Sequence, residues 1–270
     1  MSESLNPYHP LPRPAMQRGR QALVLERSRG KRVLHVGCVD AGLLHERFAR
    51  GELMHQKLSA VASELWGVDV DAAGIAFLQE QGFGNLLAGD ICEPETLRQL
   101  RDRPFDLIIA SEVVEHLANP GAFLESARQI MRPGHTELIV TVPNAFKVEA
   151  LLWMLRGVEL VHPDHNYWFS YHTATTLIGK SGLQVGEVYP YSLQRWGWRG
   201  QGQAAAPSGG GGTVSSSPAR GLPFARALGY ARSLPKRLLV SWLYRRSPFF
   251  GDGLIVVATV PESWPSQPAG

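Results

Sequence analysis

Two carboxylates and an imidazole in the stretch SEVVEHL, those of Glu112, Glu115 and His116, are spaced so that the first turn of a helix would bring all three to one face. In that arrangement they can bind a divalent cation. Further along, HPDHNYWFSYHT supplies His162, His165 and His172, any one of which can complete the set. A cation held there would acidify an acceptor hydroxyl and stabilise the alkoxide formed from it. The mixed oxygen and nitrogen donors suit Mn²⁺, Fe²⁺ or Zn²⁺ at least as well as Mg²⁺, which prefers oxygen. Without a metal, His116 or His165 becomes the candidate general base, because a neutral imidazole titrates near the working pH.

A second group of residues falls where apolar runs stop. In VLHVGCVDAG, Gly37 and Gly42 allow a tight turn and a close approach of backbone to ligand, with Cys38 and Asp40 between them. GVDVD places Asp69 and Val70 after the next run, where a carboxylate can accept both hydroxyls of a ribose. AGDI offers Asp90 to an adenine amino group and Ile91 to cover the ring, and Ser111 opens SEVVEHL after a fourth run. A dinucleotide site would need GxGxxG to approach a pyrophosphate, but Val39 and Asp40 stand at the glycine positions. A nicotinamide-dinucleotide oxidoreductase is therefore the weaker reading.

Such residues act together only if strand ends meet. RVLHVG, LWGVDV, NLLAGD, FDLIIAS and TELIVTVPN alternate with helical patterns, and a helix at TATTLIGKSG precedes LQVGEVYPYS and finally GDGLIVVATV. Strands apolar on both faces and separated by helices predict a doubly wound α/β sheet with its ligands beyond the carboxyl ends.

In this order the motifs resemble those of the class I S-adenosylmethionine-dependent methyltransferases, particularly the group that includes the ubiquinone-biosynthesis O-methyltransferases. VLHVGCVDAG is similar to their first motif, LWGVDVD to the second and LLAGDI to the third. FDLIIASEVVEHLANPGAFLESARQIMRPG with LIVTVPN is similar to their fourth and fifth strands, and the resemblance covers about residues 30–185 and the strand near 254–260. It implies a Rossmann-like sheet of seven strands, mostly parallel with an antiparallel last strand. It also implies S-adenosyl-L-methionine held by the loop at Gly37, by Asp69 at the ribose and by Asp90 near the adenine. The family carries an acidic residue where His35 stands, placed to help hold the methionyl amine. Here either Asp40 takes over that contact or Asp40 caps the following helix. Small-RNA 2′-O-methyltransferases, which this cluster also resembles, use Glu-x-x-Glu-His with a later histidine for a metal, which points to His165. Metal-free relatives keep the same Glu-His pair for packing. The implied activity is O-methylation of a small-molecule, lipid-linked or glycan acceptor by in-line transfer, in which alignment of oxygen, methyl carbon and sulfur is the main requirement. The unusual His35 and Val39 leave a catalytically silent cofactor-binding module as the alternative.

With 270 residues, 44% of them hydrophobic, the chain can bury one substantial core. The expected division is an arm and helix at 1–29, the core at 30–192, an insertion at 193–250 and the last strand with a tail at 251–270. Two cysteines, Cys38 and Cys92, make no disulfide framework, which suits a reducing cytoplasm. The first twenty residues do not read as a signal peptide, and no run approaches the roughly 20 apolar residues of a spanning helix. Between Glu187 and Asp252 there are nine basic residues and no acidic one, although the chain's net charge is only +3, so the body is acidic. Residues 201–219 read as a Gly/Ser-rich linker. Beyond Pro235, Leu238, Leu239, Trp242 and Leu243 share one helical face among Lys236, Arg237, Arg245 and Arg246. Residues 224–247 are thus a lid over the acceptor, a peripheral contact with the inner face of a membrane, or a helix packed on the sheet with a solvated charged face. Nucleic acid ranks last despite Trp196 and Trp198, since no RNA-binding module is present, and oligomeric state leaves no mark in the sequence.

Overall fold

The computed structural model describes residues 7–40, 42–193 and 238–262. The proposed linker at 201–219 and most of the basic segment lie outside these residues. In the sheet unit the arm forms β1 (Gln17–Arg18) and α1 (Gln21–Ser28). There follow β2 (Arg32–Val36), α2 (Leu44–Ala49), α3 (Met54–Ser59), β3 (Glu64–Asp69), α4 (Ala72–Glu80) and β4 (Leu86–Ala88). The second half contains α5 (Pro94–Arg101), β5 (Leu107–Ser111), α6 (Pro120–Ile130), β6 (Glu137–Pro143), α7 (Val148–Met154), α8 (Tyr171–Lys180), β7 (Gln184–Ser192) and β8 (Gly253–Thr259).

These strands form one sheet in the order β1-β7-β8-β6-β5-β2-β3-β4, in which β8 pairs antiparallel with both β6 and β7. The doubly wound α/β fold is as the sequence indicates, with eight strands instead of seven. The addition is β1, whose Gln17 and Arg18 pair in parallel with Tyr191 and Ser192. Two residues of a proline-rich arm carry no strand periodicity, so only the exposed edge of β7 reveals the pairing.

Alternation along each strand distributes side chains to two layers. Leu34 and Val36 of β2, Ile108 and Ala110 of β5, and Leu138 and Val140 of β6 pack with Leu97 and Leu100 of α5, Phe123 and Leu124 of α6, and Ile178 of α8. Val33, Leu107, Ile109 and Ile139 take the opposite layer with Val24 of α1 and Leu58 of α3. Each fully buried leucine or phenylalanine contributes about 1.5–3 kcal/mol. Local chemistry starts the helices beside the strand tips: Asp71 caps α4 by accepting from Gly74 N at 3.0 Å, and Asn119 caps α6 by accepting from Ala122 N at 3.1 Å with Pro120 following.

Asn144, the last residue of VPN, closes the far side of the sheet. It is 1% exposed, and its Nδ2 donates to the carbonyls of Phe249 at 2.6 Å and Gly251 at 2.8 Å while Oδ1 accepts from Phe146 N at 3.1 Å. Asn144→Ala strands these three backbone groups and is expected to destabilise the fold by about 3 kcal/mol or more. Urea unfolding measures it, and an unchanged midpoint would mean that the groups find other partners.

In a second unit, residues 238–247 are described, and 238–246 form a helix. Leu238, Leu239 and Trp242, expected to face inward or toward a lipid surface, are 64%, 43% and 59% exposed, while Val240 is buried. No helix among the described residues is long and apolar enough to cross a membrane.

Candidate functional site

Strand order reverses between β2 and β5, so the loops leaving these strands diverge and open a crevice between them. Gly37 lies at its floor with φ +69°, and a Cβ there would stand 2.5 Å from Val113 Cγ2. Only glycine satisfies both the left-handed backbone and the close approach. The loop is then tied to the next strand tip, where Val39 N donates to Asp69 Oδ2 at 2.8 Å; within that tip Asp71 N donates to Oδ1 at 3.0 Å. A carboxylate offers about four acceptor positions, so Asp69 keeps acceptor capacity on both oxygens. Burial raises its pKa against the pull of these amides.

Val70 beside it is 72% exposed, an apolar side chain left at a strand tip. Asp90 at the β4 tip is exposed and accepts from Cys92 N through Oδ1 at 2.8 Å, and Ile91 is 3% exposed. At the β5 tip, Ser111 Oγ is buried without a hydrogen-bond partner. A flat nucleoside bearing a polar tail fits this set: acceptors for its hydroxyls and amino group, an apolar face, and one unsatisfied hydroxyl.

The other expected cofactor contacts are engaged elsewhere. His35 points into the layer of α3, 3% exposed, with its Nδ1 3.3 Å from His55 Nδ1. Mid-strand alternation puts it there, because its neighbours Leu34 and Val36 take the opposite face. Asp40 pairs with Arg47 of α2. Leu43 is the α2 N-cap residue, with no side-chain cap bond, so Asp40 does not cap that helix. Cys38 is 1% exposed, and burial followed by the Asp69 charge pushes its thiol far up, so it packs as a neutral group. Gly42 is an exposed turn residue with φ +78°.

The structure separates the glutamates from the histidines. Glu112 has φ +56°, so the chain leaves β5 through a left-handed residue and then makes a 3-10 turn at Val114–His116 instead of an α-helical first turn. Spacing by three and four therefore does not place Glu112, Glu115 and His116 on one face. Glu112 Oε1 accepts from Thr141 Oγ1 at 2.9 Å and from the Tyr191 hydroxyl at 3.0 Å, with Arg20 Nη1 4.0 Å from its other oxygen. Glu115 is fully buried, and neither carboxylate oxygen has a partner. Burial, then the Glu112 charge, pushes its carboxyl up to about 8, which favours the protonated form. Neither glutamate belongs to the group of described side chains close enough to share an ion.

His116, His162 and His165 do converge, with ligand atoms all within 4.8 Å of one another. Backbone lacing brings them together: Asn166 N donates to Glu115 O at 2.8 Å, Asn166 Nδ2 to His116 O at 2.7 Å, and the Tyr167 hydroxyl to Ala118 O at 3.0 Å. Burial lowers the His165 pKa, with His116, His162 and Lys147 acting in the same sense. His172 lies apart, stacked on His9 of the arm at 3.8 Å. Arg20 lies beside Glu112, a contact that sequence reasoning missed. Burial would lower its pKa, but Glu112 and Tyr191 raise it, and a lone arginine in an arm carries no signal of such a contact.

Taken together, the fold and the crevice define a Rossmann-like α/β protein with acidic strand tips and no pyrophosphate loop. Residues 11–188 match the family model described as Methyltransferase domain, and the chain belongs to that family. It is 29% identical over 181 residues to the ubiquinone biosynthesis O-methyltransferase of Bradyrhizobium sp. (strain ORS 278), covering 62% of this chain and 65% of that relative. The chain thus spans just under two thirds of that protein's length. The fold is similar to that of a SAM-dependent methyltransferase from Archaeoglobus fulgidus, with a TM-score of 0.50, 19% identity and coverage of 89% of this chain and 95% of that one. It is equally similar to the 4+2 cyclase SpnF, at a TM-score of 0.50, 17% identity and coverage of 89% and 79%. A cyclase with the same architecture shows that the fold alone does not set the reaction.

Proposed function

We propose that this chain transfers the methyl group of S-adenosyl-L-methionine to an oxygen of a small-molecule, lipid-linked or glycan acceptor. The observation that carries the reading is Asp69, a carboxylate anchored to the glycine loop through Val39 N and held in place at its own strand tip by Asp71 N, with acceptor capacity left for a ribose. When bound, the cofactor supplies a methyl group on a sulfonium, itself a good leaving group.

The residues of the chain do the rest. Gly37 lets backbone approach the cofactor, Asp69 accepts the ribose hydroxyls, Val70 and Ile91 flank the adenine, and Asp90 accepts its amino group. Ser111 Oγ is the polar group left for the methionyl end. On the acceptor side, without a metal, His116 or His165 is the candidate base, and Asp164 Oδ2, 2.9 Å from His116 Nδ1, orients the first. Lipid-linked acceptors and a peripheral contact at the inner membrane face, in a cytoplasmic setting, draw support from exposed Leu238, Leu239 and Trp242.

A thermal-shift titration tests the cofactor. S-adenosylhomocysteine at about one hundred times its Kd should add about 2.7 kcal/mol of folding stability, and NAD⁺ none. Stabilisation by NAD⁺ instead, or by neither, overturns the proposal. Binding with no methyl transfer to oxygen, nitrogen, sulfur or carbon acceptors would favour a silent module.

A further inference from the structure

Three imidazoles meet beyond the carboxyl end of β5, where His116 ends the 3-10 turn. The ring centroids of His116 and His165 are 4.6 Å apart, those of His162 and His165 5.1 Å, and those of His116 and His162 5.8 Å. All three are at least partly open to solvent. Among the described residues this is the group of His, Cys, Asp and Glu side chains close enough to share an ion, and neither Glu112 nor Glu115 belongs to it.

We propose that His116, His162 and His165 form a nitrogen-donor site for a borderline divalent transition metal of the Zn²⁺ or Co²⁺ class, with an open position for an acceptor oxygen. The donor set excludes preference for Mg²⁺, which takes oxygen ligands. His116 is already arranged as a ligand: its Nδ1 faces the Asp164 carboxylate at 2.9 Å, which leaves Nε2 for the ion, the usual partnership of a metal-bound imidazole. Two nitrogens on one Zn²⁺ at about 2.0–2.1 Å in tetrahedral geometry stand about 3.3 Å apart. From the 4.8 Å limit the cluster needs to close by about 1.5 Å at most. His162, the exposed member, has the freedom to do so. Its Nδ1 accepts from Asp164 N at 3.3 Å, and a ring turned to present that nitrogen gives up this one long bond.

The site deepens the methyl-transfer reading by adding a Lewis acid beside the acceptor, but its test needs neither cofactor nor turnover. The full chain, dialysed free of metal, is titrated with Co²⁺ and followed by visible ligand-field absorption, with Zn²⁺ and Mg²⁺ as competitors. The expected result is saturable binding displaced by Zn²⁺ and not by Mg²⁺. His162→Ala and Asp164→Asn, both at exposed positions, should each weaken it by about 10-fold or more, while Glu112→Gln and Glu115→Gln leave it in place. No Co²⁺ binding, equal competition by Mg²⁺, or loss of binding on glutamate replacement with His162→Ala silent would each overturn the proposal. Stabilisation by S-adenosylhomocysteine would stand in any of these cases, so the two readings fail separately.

Discussion

Asp69→Ala is expected to weaken S-adenosylhomocysteine binding by about 100-fold or more. Hydrogen bonds from two ribose hydroxyls to a carboxylate are charge-assisted, each worth about 1.5–3 kcal/mol, and losing both removes at least about 3 kcal/mol of binding energy. The same substitution frees Val39 N, whose 2.8 Å bond holds the glycine loop against the β3 tip, and Asp71 N, whose 3.0 Å bond fixes the carboxylate at that tip. A loosened loop has to be ordered by the ligand, which adds to the loss. Asp69→Asn keeps an acceptor oxygen and the shape, so it should fall between the two. Titration calorimetry at matched folded fraction decides the matter, and an alanine variant binding within a few-fold of the parent would move the ribose contact elsewhere.

Acid is expected to destabilise the fold through the buried pair His35 and His55. His55 is 1% exposed, and burial lowers its pKa from the ordinary 6.5 to about 4; burial and then His55 itself hold His35 well below the ordinary range. Both rings are neutral in the folded chain, whereas the unfolded chain takes up protons below its pKa near 6.5. The stability associated with the pair is therefore complete above pH 6.5 and lost as the pH falls toward the folded-state values. For His55 alone the loss between pH 7 and pH 4 is about 3 kcal/mol. A pair of cations cannot share the 3.3 Å Nδ1 contact, so the second ring adds in the same direction. His55→Gln, polar and non-titrating, should flatten the decline. Urea midpoints across that range measure it, and parallel pH profiles for parent and variant would show that the pair is protonated at no cost.

The histidine pair also shows where sequence reading stops. His35 stands two residues before Gly37 in a motif that resembles a cofactor loop, yet strand alternation turns it into the α3 layer to meet a residue twenty positions on. The alternation was legible, but the identity of its partner depended on how α3 packs. Glu112 and Glu115 illustrate the same limit at closer range. Their spacing suggested a shared helical face, but one left-handed residue at the exit of β5 sends Glu112 to Tyr191 and Thr141 and buries Glu115.

What the sequence determined by itself is the series of apolar runs, the helices between them, and the glycine and acidic residues at the strand ends, because each follows from periodicity and turn chemistry within a few residues. Gly37 and Asp69 belong to that class. Only the tertiary structure decided that Arg20 from the arm reaches Glu112, that Gln17 and Arg18 extend the sheet, and that His162 joins His116 and His165. Those contacts link distant segments, and their geometry depends on the backbone lacing of loops that carry no periodicity.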